Sequence, residues 1–117
     1  MANILVMDDD GDILELFKYT LEPLGHTLFT ETNADLGAKI YLNEKLDIIF
    51  TDLLIPQKDG IEALLEISHL ANPPKIVTMS GEGSEYLDVT KDLGAEITLT
   101  KPLTRDMILT TLDTLGV

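Results

Sequence analysis

The sequence predicts an α/β fold: one parallel sheet with helices packed on both faces. Three observations carry that prediction. Short apolar runs alternate with amphipathic stretches, five times over and always in the same order. The runs are close to continuously apolar, as strands buried on both faces are. The 117 residues suit one domain, 1–117, with no linker, low-complexity tract or close repeat to divide it. Strict strand–helix alternation then calls for a parallel sheet clothed by its own connections.

The elements follow in order. NILVM (3–7) stops at a run of acids and reads as a buried strand. Ile13, Phe17, Leu21 and Leu24 recur at helical spacing with Leu14 beside them, and Pro23-Leu24-Gly25 closes that helix. HTLFT (26–30) is strand-like. Asn33 can cap a helix running to about Asn43, with Leu36, Ile40 and Tyr41 as its expected inner face. LDIIFTD (46–52) is the most apolar strand candidate. Asp59-Gly60 opens a helix carrying Ile61, Leu64, Leu65 and Leu70, stopped by Asn72-Pro73-Pro74. KIVTMS (75–80) is the fourth strand, SGEGS (80–84) a loop, and Glu85–Leu93 a weak helix ended by Gly94. EITLTKP (96–102) is the fifth strand, with the residue before Pro102 held extended. Thr104 caps a last helix built on Met107, Ile108, Leu112 and Leu115.

Composition narrows the function classes. Eight basic against 21 acidic side chains give a formal net charge of −13, which argues against direct binding to nucleic acid or to an anionic membrane surface. No cysteine is present, so disulfides and thiolate metal sites are excluded, and a cytoplasmic home is the expectation. The N-terminus has no basic region and its apolar run ends at Met7, unlike a secretory signal. Nowhere do about 18 apolar residues run together.

Most of the acids are explained by a solvated surface, but VMDDDGD is not. Asp8, Asp9, Asp10 and Asp12 fall within five positions. Two carboxylates roughly 5 Å apart repel by about 3 kcal/mol at an effective dielectric of 20. Asp10 and Asp12 fit the cap and first turn of the following helix. Asp8 and Asp9 sit at the strand end, and in parallel sheets ligands bind outside the carboxyl ends of the strands. The same rule brings Asp52, Ser80 and Lys101 to that edge from the third, fourth and fifth strands. Three carboxylates around one point need a cation, and Mg²⁺ suits them, since it takes hard oxygen ligands and shares them with a phosphate. A carboxylate can also attack phosphorus to form an aspartyl-phosphate, with Lys101 and the Ser80 hydroxyl on the phosphoryl oxygens.

At this point VMDDD, TDLLIPQKDG, TMSGEG and LTKP together resemble the four signatures of the response regulator receiver domain, the CheY-like phosphoacceptor module of two-component signalling. The likeness spans nearly the whole chain in order and spacing. It implies a flavodoxin-like (βα)5 doubly wound sandwich with strand order 2-1-3-4-5. It implies further that Asp52 is phosphorylated, that Asp8, Asp9, Asp52 and the carbonyl of Leu54 hold Mg²⁺, and that Ser80 and Lys101 bind the phosphoryl group. A cis bond between Lys101 and Pro102 is also implied. The expected partners are a histidine kinase or phosphotransfer protein, and a downstream effector or tethered output domain. Such a domain is not an enzyme in the usual sense, because it catalyses only its own phosphorylation and slow dephosphorylation.

The chain departs from the pattern at Thr98, where receivers usually carry Tyr or Phe three residues before the lysine. A threonine cannot fill the space of an inward-turning ring, so the response of the expected output face, 85–117, has to be smaller or differently routed. Lys58 replaces a common methionine and is expected to be harmless. His26 and His69 have no companion that suggests catalysis or metal binding and read as structural, Thr51 reads as the last buried strand position, and SGEGS lacks the lysine and spacing of a P-loop.

Three rival readings fit parts of the pattern. MDDDGDIL contains the D-x-D-G pattern of haloacid-dehalogenase-type phosphatases, with Asp8 as nucleophile and Asp10 as acid/base, but Asp12 stands where that family wants threonine. An EF-hand starting at Asp8 would need glycine at Ile13 and glutamate at Tyr19. A pseudo-receiver that only docks proteins would have no need of all five site residues.

Overall fold

The computed structural model describes residues 1–55, 58–81 and 90–117, and the side chains of 54–61 lie outside the description. Its sheet has five strands: β1 (Asn3–Met7), β2 (Thr27–Glu31), β3 (Ile48–Asp52), β4 (Lys75–Ser80) and β5 (Ile97–Thr100). All neighbours are parallel, in the order β2-β1-β3-β4-β5, the expected 2-1-3-4-5. The helices are α1 (Gly11–Leu21), α2 (Ala34–Tyr41), α3 (Gly60–Ser68) and a C-terminal α4 (Arg105–Leu115). Residues 90–92 are helical too; the rest of the helix predicted over Glu85–Leu93, and most of the SGEGS loop, lie outside the described residues. A short antiparallel ribbon pairs Leu54–Ile55 with Lys58–Asp59.

Strand alternation sorts the core into two halves. Ile4, Val6, Ile48, Phe50, Val77 and Met79 pack with α1 and α4. Leu5, Met7, Ile49 and Ile76, the residues between them, pack with α2 and α3. A strand buried on both faces must be apolar at every position, which is why the sequence shows runs instead of alternation. Phe17 of α1 meets Phe50 of β3 with ring centroids 4.8 Å apart.

The predicted caps are present. The Asp10 side chain accepts from Asp12 N, Asn33 from Leu36 N and Thr104 from Met107 N. After α1 a short 3₁₀ turn, Glu22–Leu24, ends at Gly25 with φ +88°, a left-handed conformation that glycine adopts without penalty. β2 begins one residue later than expected, because the ladder with β1 starts at Asn3–Thr27 while the His26 ring accepts from Ala2 N. β3 likewise begins after Asp47, whose carboxylate accepts from Asn3 N at 2.8 Å. β5 ends before Lys101, and the Lys101–Pro102 bond is cis, as the resemblance implied.

Two helix faces differ from expectation. Leu36 and Leu65 are exposed, while Ala34, Gly37 and Tyr41 form the buried face of α2, and Ala63, Leu64 and Ile67 that of α3. For α2 the reason is closeness. A Cβ on Gly37 would lie 2.1 Å from Met7 Sδ, so the helix approaches β1 on its smallest residues. Tyr41 OH donates to Glu66, joining α2 to α3. Ile61 is among the side chains not described, and Leu70 packs against the second cluster from beyond the end of α3.

Candidate functional site

The site begins where the strands run out. The series Ile4–Val6–Asp8, Ile48–Phe50–Asp52 and Ile97–Leu99–Lys101 each step by two along a strand and onward past its end. All three therefore project toward the α1/α4 side of the sheet. Register does the rest: β3 lies between β1 and β4, and β5 lies beyond β4. Residues 44 and 49 positions apart in the chain are thereby brought to one edge.

Lys101 Nζ sits between two carboxylates, 2.5 Å from Asp52 Oδ2 and 2.8 Å from Asp8 Oδ2. Carboxylate oxygens of Asp8, Asp9 and Asp52 all lie within 4.8 Å of one another. Asp8 and Asp52 are buried, and Asp9 is exposed. Asp8 Oδ1 accepts from Asp10 N at 2.9 Å, so Asp8 shapes the turn into α1 as well as facing the site. Sequence reasoning had divided those two tasks between different acids. Ser80 is buried at the same edge, and its carbonyl accepts from Lys101 N at 2.7 Å. By strand alternation it belongs to the series Ile76–Thr78–Ser80, on the other face from Asp52. Leu54, two residues past Asp52, opens the short ribbon.

Electrostatics at this edge are unbalanced. Burial pushes the Asp8 carboxyl above its ordinary range, and the neighbouring Asp52 charge adds to it; the hydrogen bonds from Lys101 and Asp10 N oppose this without cancelling it. Burial would lower the Lys101 ammonium, but its hydrogen bonds to Asp52 and Asp8 outweigh that and hold it above the usual lysine value. Among the described side chains, three carboxylates thus face one protonated amine. Apart from that ammonium, Asp8 Oδ2 has no hydrogen-bond donor among the described residues. A hard cation fits such a donor set, since it would lie among three carboxylates.

The other singled-out residues play structural parts. The His26 ring accepts from Ala2 N, and His69 Nδ1 lies 2.6 Å from Leu65 O. Thr51 is fully buried, one position before the end of β3. Sequence reasoning passed over Thr78 and Thr90, whose buried hydroxyls pair at 2.9 Å beneath the site. The signal available for them was a threonine inside an otherwise apolar strand.

A profile of the response regulator receiver domain matches residues 4–113. The chain belongs to that family. As a receiver domain it is part of two-component signalling, where the family's general role is that of phosphoacceptor. Among curated relatives it is 32% identical over 100 residues to the alkaline phosphatase synthesis transcriptional regulatory protein PhoP of Bacillus subtilis, covering 85% of this chain and 42% of that protein. It is 35% identical over 103 residues to a CpxR homolog of Haemophilus influenzae, a transcriptional regulatory protein, covering 87% of this chain and 44% of that one. The receiver domain thus spans less than half the length of these relatives. The chemotaxis response regulator CheY4 of Vibrio cholerae shares the fold at a TM-score of 0.89, with 98% of each chain covered at 24% identity. Among the described residues, no helix is long and apolar enough to cross a membrane.

Proposed function

We propose that Asp52 is the phosphoacceptor of this receiver domain, that Asp8, Asp9 and Asp52 with the Leu54 carbonyl hold Mg²⁺, and that Lys101 and Ser80 bind the phosphoryl oxygens. The observation that carries this reading is the ammonium of Lys101 between Asp8 and Asp52, with the third carboxylate of Asp9 in reach. Bound Mg²⁺ would neutralise the acid cluster and draw charge from the phosphoryl oxygens.

The chain's own residues set the rest. The donor is a phosphohistidine on a histidine kinase or phosphotransfer protein. An Asp52 oxygen attacks phosphorus, the new P–O bond forms as the P–N bond breaks, and the imidazole leaves with the electron pair. Lys101 already touches the attacking carboxylate, so its ammonium is in place to follow charge onto the transferred oxygens. Ser80, fixed to Lys101 through its carbonyl, offers a hydroxyl at the neighbouring strand end. Attack of water on phosphorus later releases inorganic phosphate and restores the carboxylate. Turnover of this kind resets the domain itself and processes no other substrate, so the protein acts as a switch and not as an enzyme. A cytoplasmic setting, where kinase and effector meet, goes with this reading. The output surface is assigned to 85–117, acting on an effector protein or a tethered domain.

Mg²⁺ with acetyl phosphate should add one phosphoryl group per chain by intact mass, and Asp52→Asn should abolish it. Labelling that survives Asp52→Asn but is lost in Asp8→Asn would move the nucleophile to Asp8 and overturn the assignment.

A further inference from the structure

One rung below the site, register sets Met7, Thr51, Thr78 and Thr98 side by side across β1, β3, β4 and β5. Met7 and its alternation partners place this row on the α2/α3 side of the sheet. Three adjacent threonines stand out in that setting, since the rung below them, Phe50, Val77 and Ile97, is apolar. Thr51 precedes Asp52 by one residue, Thr78 precedes Ser80 by two, and Thr98 precedes Lys101 by three. Thr51 and Thr78 have no exposed surface, and Thr98 is half-buried.

Facing Thr78 is Thr90, also without exposed surface, with the two Oγ1 atoms 2.9 Å apart. A hydroxyl buried among apolar groups persists only when it is partnered, and here the two hydroxyls partner each other. Thr90 also organises the chain's return to the sheet. Its carbonyl accepts from Leu93 N at 3.2 Å and Ala95 N at 2.9 Å, and Glu96 N then bonds Ile76 O at 2.8 Å to begin the β5 register. Gly94, with φ +117°, makes the turn between them. The hydroxyl pair is therefore a side-chain tie between the strand that carries Ser80 and the turn that leads into β5 and Lys101.

We propose that the Thr78–Thr90 hydrogen bond couples the occupied phosphoryl site to the 90–95 turn, in place of a bulky side chain at position 98. This rests on the reading of Asp52 as the phosphoacceptor and names the regulation of that site. Ser80 and Thr78 share one face of β4, about 7 Å apart at roughly 3.3 Å per residue. Displacement of the Ser80 end toward a phosphoryl oxygen strains a bond that weakens steeply with distance and angle. Thr90 then either follows or lets go, and both outcomes change the protection of the amides its carbonyl holds.

The test is amide hydrogen exchange at Leu93 and Ala95, with and without excess acetyl phosphate and Mg²⁺, alongside intact mass. The parent should show a several-fold change in exchange at both amides on phosphorylation. Thr78→Val and Thr90→Val should still be labelled at Asp52 but lose that change, and Thr78→Ser, which keeps the hydroxyl, should restore it. The double variant Thr78→Val/Thr90→Val removes both ends of the tie and should behave like either single variant. A labelled Thr78→Val protein with the parent's exchange response would overturn the coupling alone, as would a labelled parent with no response. A parent that takes no phosphoryl group would overturn the phosphoacceptor reading and the coupling with it.

Discussion

Asp8 is costly to the fold, and the proposed metal site would need it. Its carboxyl is held above the ordinary range by burial, so in the metal-free protein the folded state binds a proton there more tightly than the unfolded chain does. The sign follows directly. The stabilisation from that bound proton is complete below the unfolded value of 3.8 and is lost as pH rises through the raised folded value. Without divalent metal, Asp8→Asn should therefore match the parent's stability in acid and exceed it progressively toward neutrality. A rise of a few degrees in Tm at pH 7 is expected, and a lower Tm than the parent would refute it. Lys101 has the same sign in a higher window: its stabilising pairing is present below the ordinary lysine value of 10.5 and lost only as pH climbs through its higher folded value. The acids themselves were legible in VMDDDGD, and so was the capping role of Asp10. That Asp8 also holds the turn through Asp10 N was not, because the sequence does not show which of two adjacent carboxylates points inward.

Among the elements, α2 was misread for a reason that generalises. Periodicity counts large apolar residues, and Ile40 and Tyr41 do pack inward, but Leu36 is exposed and the helix turns Ala34 and Gly37 to the sheet. It does so because close approach to β1 favours the small residues, and Met7 occupies the space a side chain at Gly37 would need. Gly37→Ala gains about 1 kcal/mol in helix propensity. Against that, the new methyl group collides with a fully buried thioether, and overpacking of this kind costs about 1–3 kcal/mol. A net loss near 1 kcal/mol is expected by denaturant titration, and Met7→Ala in the same chain should reduce it. If Gly37→Ala proves more stable than the parent, Met7 has room to move and the close-packing account is wrong. Strand β4, by contrast, was read to the residue, since its apolar run is bounded by Pro73-Pro74 and by the loop after Ser80.

For the whole molecule, the site is a place where like charges converge, and the proposed cation would resolve them. Mg²⁺ that binds only the folded state should raise Tm, by the equivalent of about 1.4 kcal/mol at ten times its Kd. Asp8→Asn should largely remove that response, and a Tm unchanged across millimolar Mg²⁺ would count against the metal site. Thr98 belongs to this scale too, because it lies beside Thr78 in the register that links the site to the 90–95 turn. Thr98→Tyr should alter affinity for an output partner more than the rate of labelling by acetyl phosphate; the reverse result would place the switch elsewhere.

The class of fold, the alternation of elements and the helix caps can be read along the chain, because these depend on neighbours within a few positions. Asp8, Asp52, Ser80 and Lys101 can be placed at strand ends in the same way. The folded arrangement alone brings Lys101 to both Asp8 and Asp52, and Thr78 to Thr90. Those outcomes depend on register and strand order, and interactions between residues dozens of positions apart leave no periodic mark in the chain.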